Sequence, residues 1–265
     1  MRGRILVIAG SDSGGGAGIQ ADIKTITALG GFAMTAITAL TAQDTRGVHD
    51  VLAVPPAFVT AQMCCVMEDI GVDSFKSGML DRSEVIDAVA DMIATRPGIP
   101  YVLDPVMVAK GGASLLQQAA VRSLKARLLP LSDLLTPNLP EAEVLLDRPV
   151  REAGDMRQAA LDLREMGARA VLLKGGHLPG DELVDVFVDQ QGQVETFTST
   201  RLHTVHTHGT GCTLASAIAT GLGQGMDLRA AIVRARDYLY RAIAAAPGYG
   251  HGAGPVNHGV DITTS

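Results

Sequence analysis

Arg4-Ile-Leu-Val-Ile-Ala-Gly10 is a short, continuous β-favouring run that stops at a glycine. A strand that is apolar at almost every position is buried on both faces, as in a parallel sheet covered by helices. Ser11 to Gly18 follows as a loop of small residues. Ile19 to Leu29 then carries Ile19, Ile23 and Ile26 at helical spacing. This strand–loop–helix unit begins a longer alternation.

Further strands are expected at Phe32 to Leu40, Val72 to Gly78, Tyr101 to Val106, Leu134 to Thr136 and Ala170 to Lys174. Helices are expected at Pro56 to Ile70, Ser83 to Ala94, Leu115 to Leu128, from Thr136 through Glu141, and Asp155 to Met166. Pro56 stands in a first helical turn, where a missing N–H costs nothing. Such alternation implies an α/β fold with a mostly parallel central sheet and helices on both faces. The pattern changes at Leu183. Leu183 to Asp189 and Gln193 to Ser199, joined by Gln190-Gln191-Gly192, read as a small β-hairpin addition. Two Ala-rich helices follow, Gly211 to Leu222 and Leu228 to Ala246, and the Gly- and His-rich tail from Gly248 is irregular. No linker or repeat interrupts the pattern, so residues 1–265 read as a single domain.

Composition narrows the functional classes. The chain is 47% hydrophobic with 3% aromatics and no Trp, which predicts an aliphatic core. A net charge of −6 argues against nucleic-acid and anionic-membrane partners, which need a basic face. Phosphate ligands stay open, since backbone N–H groups bind them without Lys or Arg. Three cysteines, two of them adjacent, do not form a disulfide framework. Reduced thiols fit a soluble cytoplasmic protein. Neither a signal-peptide apolar region nor a membrane-length apolar stretch is evident.

His208-Gly-Thr-Gly-Cys-Thr213, directly before a helix, carries the strongest local chemistry. Gly209, Thr210 and Gly211 let successive N–H groups converge at a positive helix end. That is an anion hole suited to a transferring phosphoryl group. A plain capped helix start is the alternative. Cys212 falls in the first turn, where its thiol pKa is expected to be lowered, suiting it to act as base or nucleophile. Cys64 and Cys65 are expected to be inert core thiols. The loop Gly10 to Gly18 fits neither dinucleotide nor phosphate-loop glycine spacing, and suits closure on a compact substrate. Asp22 in the following helix either points back into a site or is a solvated helix charge.

Asp104 ends a strand, where ligands of open α/β sheets bind. With Asn138 and Glu141 it can organise Mg²⁺, although Asn138 and Glu141 also have capping-box spacing. Lys174 ends another strand and either contacts nucleotide phosphates or makes a structural ion pair. His203, His206 and His208 lack the Cys or acidic partners of a zinc site.

Ala9-Gly-Ser-Asp-Ser-Gly-Gly-Gly-Ala-Gly-Ile-Gln-Ala-Asp22, Thr38-Ala-Leu-Thr-Ala-Gln-Asp44, Lys76-Ser-Gly-Met-Leu80, Asp104-Pro-Val-Met-Val-Ala-Lys110, Thr136-Pro-Asn-Leu-Pro-Glu141, Lys174-Gly-Gly-His177 and Thr207-His-Gly-Thr-Gly-Cys-Thr213 occur in this order. In that order they resemble the ribokinase-like superfamily, and more narrowly the hydroxymethylpyrimidine and phosphomethylpyrimidine kinases of thiamine biosynthesis. The resemblance implies a ribokinase-like fold and two successive ATP- and Mg²⁺-dependent phosphorylations of a hydroxymethylpyrimidine. It implies that Gln43 reads the pyrimidine edge, with Gly10, Asp22 and Met79 lining the same pocket. Lys174, Asn138 and Thr207 are the expected nucleotide contacts and Asp104 and Glu141 the expected metal ligands, and the resemblance places Cys212 where related sugar kinases carry an Asp base. Val106 to Gly112 resembles the family's flap but lacks the Cys of relatives that phosphorylate pyridoxal. A homodimer is implied at family level. The competing readings are a pyridoxal or pyridoxine kinase of the same fold and a noncatalytic pyrimidine-binding protein.

Overall fold

In the computed structural model, residues 3–107 and 118–262 are described. The first unit is β1 (Arg4–Asp12), a loop, and α1 (Gly18–Ala28). Then come β2 (Phe32–Gln43), β3 (Val48–Ala53), α2 (Pro56–Asp69), β4 (Ser74–Ser77), α3 (Ser83–Ala94) and β5 (Tyr101–Leu103). The next segment is α4 (Gln118–Ser123), continued by a wider π turn at Leu124–Leu128. It leads to β6 (Leu134–Leu135), α5 (Leu139–Leu146), α6 (Ala153–Glu165) and β7 (Val171–Lys174). The chain ends with the hairpin β8 (Glu182–Val188) and β9 (Val194–Thr200), then α7 (Thr210–Gly223) and α8 (Leu228–Ala244). The start of the helix expected at Leu115, and most of the flap, lie outside the described residues.

One sheet runs β3-β2-β1-β4-β5-β6-β7-β8-β9. The six strands from β2 to β7 pair in parallel. β3 pairs antiparallel with β2 at one edge, and β7, β8 and β9 pair antiparallel at the other. The hairpin at β8–β9 is the one expected. β3 has no counterpart among the expected strands: its residues are mostly exposed, so no alternation of burial marks it. It forms because the turn between Asp44 and Gly47 folds the chain back along the long β2, with Asp44 N–H donating to Gly47 O at 3.1 Å.

β1 is central, and its two faces feed two cores. Leu6 and Ile8 pack with Phe75, Tyr101 and Leu103 under α2 to α6. Ile5, Val7 and Ala9 pack with Val102, Leu134 and Leu172 under α1, α7 and α8. Four of these β1 side chains, Ile5 to Ile8, are wholly buried, each worth about 1.5–3 kcal/mol of transfer free energy. The core is mainly aliphatic, yet Tyr101, Tyr238 and Phe75 are its bulkiest members, so the few aromatics are used inside. Of the described helices, none is long and apolar enough to cross a membrane.

The chain moves from β1 to β2 on one side and to β4 on the other. This makes the carboxyl end of β1 a switch point, where open α/β sheets bind ligands. α7 runs back across the sheet: at its far end an added Cβ on Gly223 would come 3.3 Å from Ser74 at the start of β4. Its N-terminus therefore faces the switch point.

Candidate active site

A cleft of ≈ 1320 Å³ opens along the carboxyl ends of the strands. Its framework is an interlock of two glycine-bearing loops. Asp12, at the end of β1, accepts backbone N–H bonds from Gly14 (2.8 Å), Gly16 (3.1 Å) and Ala17 (2.8 Å). His208 Nε2 lies 2.9 Å from Asp12 Oδ2. Burial raises the Asp12 pKa, but these hydrogen bonds outweigh it and hold the carboxyl below the usual range. On the facing loop, Gly209 caps α7 in the left-handed region, at φ 81°. A Cβ on Gly209 would lie 1.8 Å from Gly16 O, so the two backbones touch where no side chain fits. Asp12 does not stand out in sequence as a site residue, and His208 stands out only within the motif before α7. The available signal is an Asp followed by glycines two and four residues on, an Asx-type turn.

Thr210, Gly211 and Cys212 form the first turn of α7 and line the cleft. Gly209 needs glycine for its backbone angle; Gly211 does not, and a side chain there would meet its neighbours at ordinary contact distances. A Cβ there would sit 3.4 Å from Lys174 Nζ and 3.6 Å from Asp104 Oδ2. The expected lowering of the Cys212 pKa is overturned. Burial pushes the thiol up to about 12, reinforced by the Asp22 and Asp104 carboxylates and opposed by Lys76 and the Gly18 N–H. Although Cys212 is half-buried by surface, its sulfur faces inward and loses more by desolvation than the helix end returns. The other two thiols also differ from expectation: Cys64 is half-buried and Cys65 is exposed, so Cys65 is not a core residue.

The acidic corner holds Asp104, Lys174 and Glu141. Asp104 Oδ1 accepts from Lys174 Nζ at 3.2 Å and from Thr136 Oγ1 at 3.1 Å. The capping box is present: Asn138 Oδ1 accepts the Glu141 N–H at 2.9 Å, and Glu141 Oε2 accepts the Asn138 N–H at 2.8 Å. Capping does not exhaust Glu141, whose side chain also faces the cleft. Burial pushes its carboxyl up to about 7, against the pull of Lys174 and with the help of Asp104. Among the described residues no group of three or more His, Cys, Asp or Glu can hold a metal ion. Two carboxylates beside a lysine do suit a cation carried largely by phosphate oxygens and water.

The raised Glu141 gives a stability prediction. Between the ordinary value 4.5 and about 7 the folded chain holds this proton and the unfolded chain does not. Stability therefore falls as pH rises through that window, and the full cost is present above it. Glu141→Gln keeps an oxygen for the capping box and removes the charge. Its melting temperature is expected to exceed wild type at pH 8 and to match it near pH 4.5, a difference on the order of 2–3 kcal/mol. Equal pH profiles in thermal melts would refute the burial of an ionised Glu141.

Gly10, Gln43 and Met79, the residues expected to meet the substrate, all line the cleft. A Cβ on Gly10 would come 3.3 Å from Met79 Sδ. The Gln43 amide lies 3.3 Å from His208 Nε2 and 3.1 Å from Thr41 Oγ1. Asp22 is not in this lining. It is wholly buried beneath it, accepting from Lys76 Nζ at 3.0 Å and Ser216 Oγ at 2.6 Å. It is therefore neither a cleft wall nor a solvated charge, because the equally buried Lys76 draws it inward. Nothing in the residues around Lys76 marks it as the partner of Asp22.

Thr207, Asn138 and Lys174 also line the cleft. Beside them runs an apolar wall that sequence does not reveal, including Leu183, Phe197, Val233 and Tyr240. Arg236 stacks 5.1 Å from the Phe197 ring centroid and donates to Asp185 at 3.0 Å. His203 pairs with Asp181 at 3.0 Å on the surface, while His208 belongs to the Asp12 cluster.

Residues 12–257 match the family model for phosphomethylpyrimidine kinase. The thiamine biosynthesis bifunctional protein of Geobacter sulfurreducens is 53% identical over 97% of this chain; the match spans 52% of that protein, about half its length. The hydroxymethylpyrimidine/phosphomethylpyrimidine kinase of Haemophilus influenzae is 45% identical, covering 96% of both chains. Among solved structures, the ADP complex of Bacillus subtilis pyridoxal kinase superposes with a TM-score of 0.91 at 33% identity, over 98% of each chain. With its α/β architecture and the ordered motifs along one cleft, this chain belongs to the phosphomethylpyrimidine kinase family.

Proposed function

We propose that this chain transfers the γ-phosphoryl group of ATP to the hydroxymethyl arm of 4-amino-5-hydroxymethyl-2-methylpyrimidine, and then to the monophosphate so formed. One observation carries the reading. The N-terminus of α7 reaches both sets of groups: His208, just before it, lies 3.3 Å from the Gln43 amide, and a Cβ on Gly211 would lie 3.4 Å from Lys174 Nζ and 3.6 Å from Asp104 Oδ2. A phosphoryl group seated on the Thr210–Cys212 backbone would have acceptor on one side and nucleotide on the other, the in-line arrangement the transfer needs.

The roles follow from position. The apolar wall takes the base of the nucleotide, and Asn138 and Thr207 contact it. Lys174, within reach of Gly211, neutralises charge on the transferring group. Asp104 and Glu141 would hold Mg²⁺, which would supply positive charge to offset that of the phosphates. Cys212, on the acceptor side of the same turn, receives the alcohol proton. Asp22 and Lys76 act from below as a charged support. The reading includes a cytoplasmic homodimer, and the exposed Leu52 and Phe58 near edge strand β3 support a second copy.

An ADP-release assay tests the whole reading, run in parallel with the hydroxymethylpyrimidine, its monophosphate and pyridoxal. Turnover of both pyrimidines is expected. Turnover of pyridoxal alone would transfer the chain to the alternative activity, and none at all would leave a binding protein. In the same assay Glu141→Gln is expected to need several-fold more Mg²⁺ for half-activation. An unchanged requirement would leave Glu141 with its capping role alone.

Gln43→Leu strips one donor and one acceptor from the pocket, a loss of about 1–3 kcal/mol. Calorimetry should find the pyrimidine bound more weakly and ADP bound as before. Unchanged pyrimidine affinity would remove Gln43 from the substrate.

A further inference from the structure

His208 is bound to both glycine-bearing loops and to Gln43, and its hydrogen bonds constrain what Gln43 can offer. Thr41 Oγ1 lies 2.9 Å from Ser11 O and 3.1 Å from the near end of the Gln43 amide. A hydroxyl has one proton, and a carbonyl oxygen can only accept. If the Thr41 proton goes to Ser11 O, the shorter contact, the amide end facing Thr41 must donate, so it is the NH₂. The structure draws Gln43 Oε1 toward Thr41 and Nε2 toward His208; these partners call for the amide turned over, with its oxygen 3.3 Å from His208 Nε2. His208 Nε2 must carry a proton, shared between that oxygen and Asp12 Oδ2 at 2.9 Å.

The opposite assignment fails on both sides. It leaves Thr41 two acceptors for one proton. It also makes His208 Nε2 an acceptor 2.9 Å from a carboxylate oxygen, lone pair against lone pair. Asp12 does not relieve this by protonating, because three backbone N–H groups already donate to it. The two ends of a carboxamide are told apart only by such partners.

We infer that His208 is a specificity-positioning residue: through its Nε2–H it locks the Gln43 amide with oxygen toward His208 and NH₂ toward Thr41, fixing the order of acceptor and donor shown to the substrate. The consequence for substrate choice rests on the proposed pyrimidine-kinase reading. A 4-aminopyrimidine presents a donor beside a ring acceptor. Its 4-oxo counterpart presents an acceptor beside a ring N–H, the reverse order. A Gln free to turn over would serve both; a locked one serves the first.

The test has two independent arms. In the free wild-type enzyme, ¹⁵N NMR of the imidazole should give a protonated-type shift for His208 Nε2. A pyridine-type Nε2 would overturn the lock whatever the substrate is. In kinetics, the ratio of kcat/KM for the 4-amino over the 4-oxo substrate should fall about tenfold in His208→Leu. The change should lie chiefly in KM, and His208→Gln, which keeps a donor at the same reach, should restore most of the ratio. An unchanged ratio in a His208→Leu enzyme that melts normally would refute the proposal. Equal loss on both substrates, carried by kcat, would refute it too, reducing His208 to a support for the Gly209 turn. If wild type turns over neither pyrimidine, the functional reading fails while the NMR arm still decides the lock.

Discussion

Cys212→Ser is expected to lower kcat for the hydroxymethylpyrimidine by roughly 10²–10⁴, the range for loss of a general base. The same change should cost far less in the second transfer. There the acceptor is a phosphate monoester, already largely ionised near neutral pH, with a second pKa of about 6. An alcohol must lose a proton as it attacks; a phosphate oxygen need not. Because burial holds the thiol up to about 12, the free enzyme keeps Cys212 neutral. Wild-type kcat/KM on the alcohol, which reports ionisations of the free enzyme, should therefore climb with pH beyond 9, and the Ser variant should lose that climb. Thiol labelling at neutral pH should reach the exposed Cys65 before Cys212. Equal losses in both steps would mean that Cys212 shapes the phosphoryl seat instead of moving a proton. Near-normal kcat in both would make it a packing residue.

Gly209→Ala should disable the enzyme by a different route. A non-glycine residue in the left-handed region costs about 1–2 kcal/mol. The added Cβ also falls 1.8 Å from Gly16 O, so the two loops must part. Separation takes the α7 N–H groups away from their target, and losing one such donor typically costs roughly 10²–10³ in kcat. Both a lowered melting temperature and that loss of kcat are expected. Gly211→Ala is the matched comparison. Its Cβ meets only Lys174 Nζ and Asp104 Oδ2, at 3.4 and 3.6 Å, and its backbone angle is ordinary. It should melt like wild type and still lose activity, because the methyl would occupy the proposed phosphoryl seat. A Gly209→Ala enzyme with normal melting and normal kcat would contradict the interlock.

The elements most readable in the chain are those whose burial repeats locally. β1 is apolar on both faces, α3 has its boundaries at the residues expected, Ser83 and Ala94, and the β8–β9 hairpin is flagged by its glycine turn. β3 escapes because an exposed edge strand has no buried face to write a period into sequence. Its pairing depends on the partner strand being long enough to receive it.

The site divides in the same way. Glycines before a helix, carboxyl-terminal strand residues and the order of motifs are local features, and they locate the glycine turn before α7, Asp104, Lys174 and the Asn138–Glu141 cap. The partnerships are not local. Asp12 and His208 are 196 positions apart and meet because β1 and the approach to α7 end at one switch point. Asp22 leaves the cleft for Lys76, 54 positions away, because two buried charges are stable only together. The titration of Cys212 follows from desolvation and from carboxylates contributed by α1 and the end of β5. Sequence by itself determined the parallel α/β frame, because burial periodicity is written residue by residue. The tertiary structure alone decided which polar groups pair and how they titrate, because both depend on distances and on excluded water that exist only once the strand ends converge.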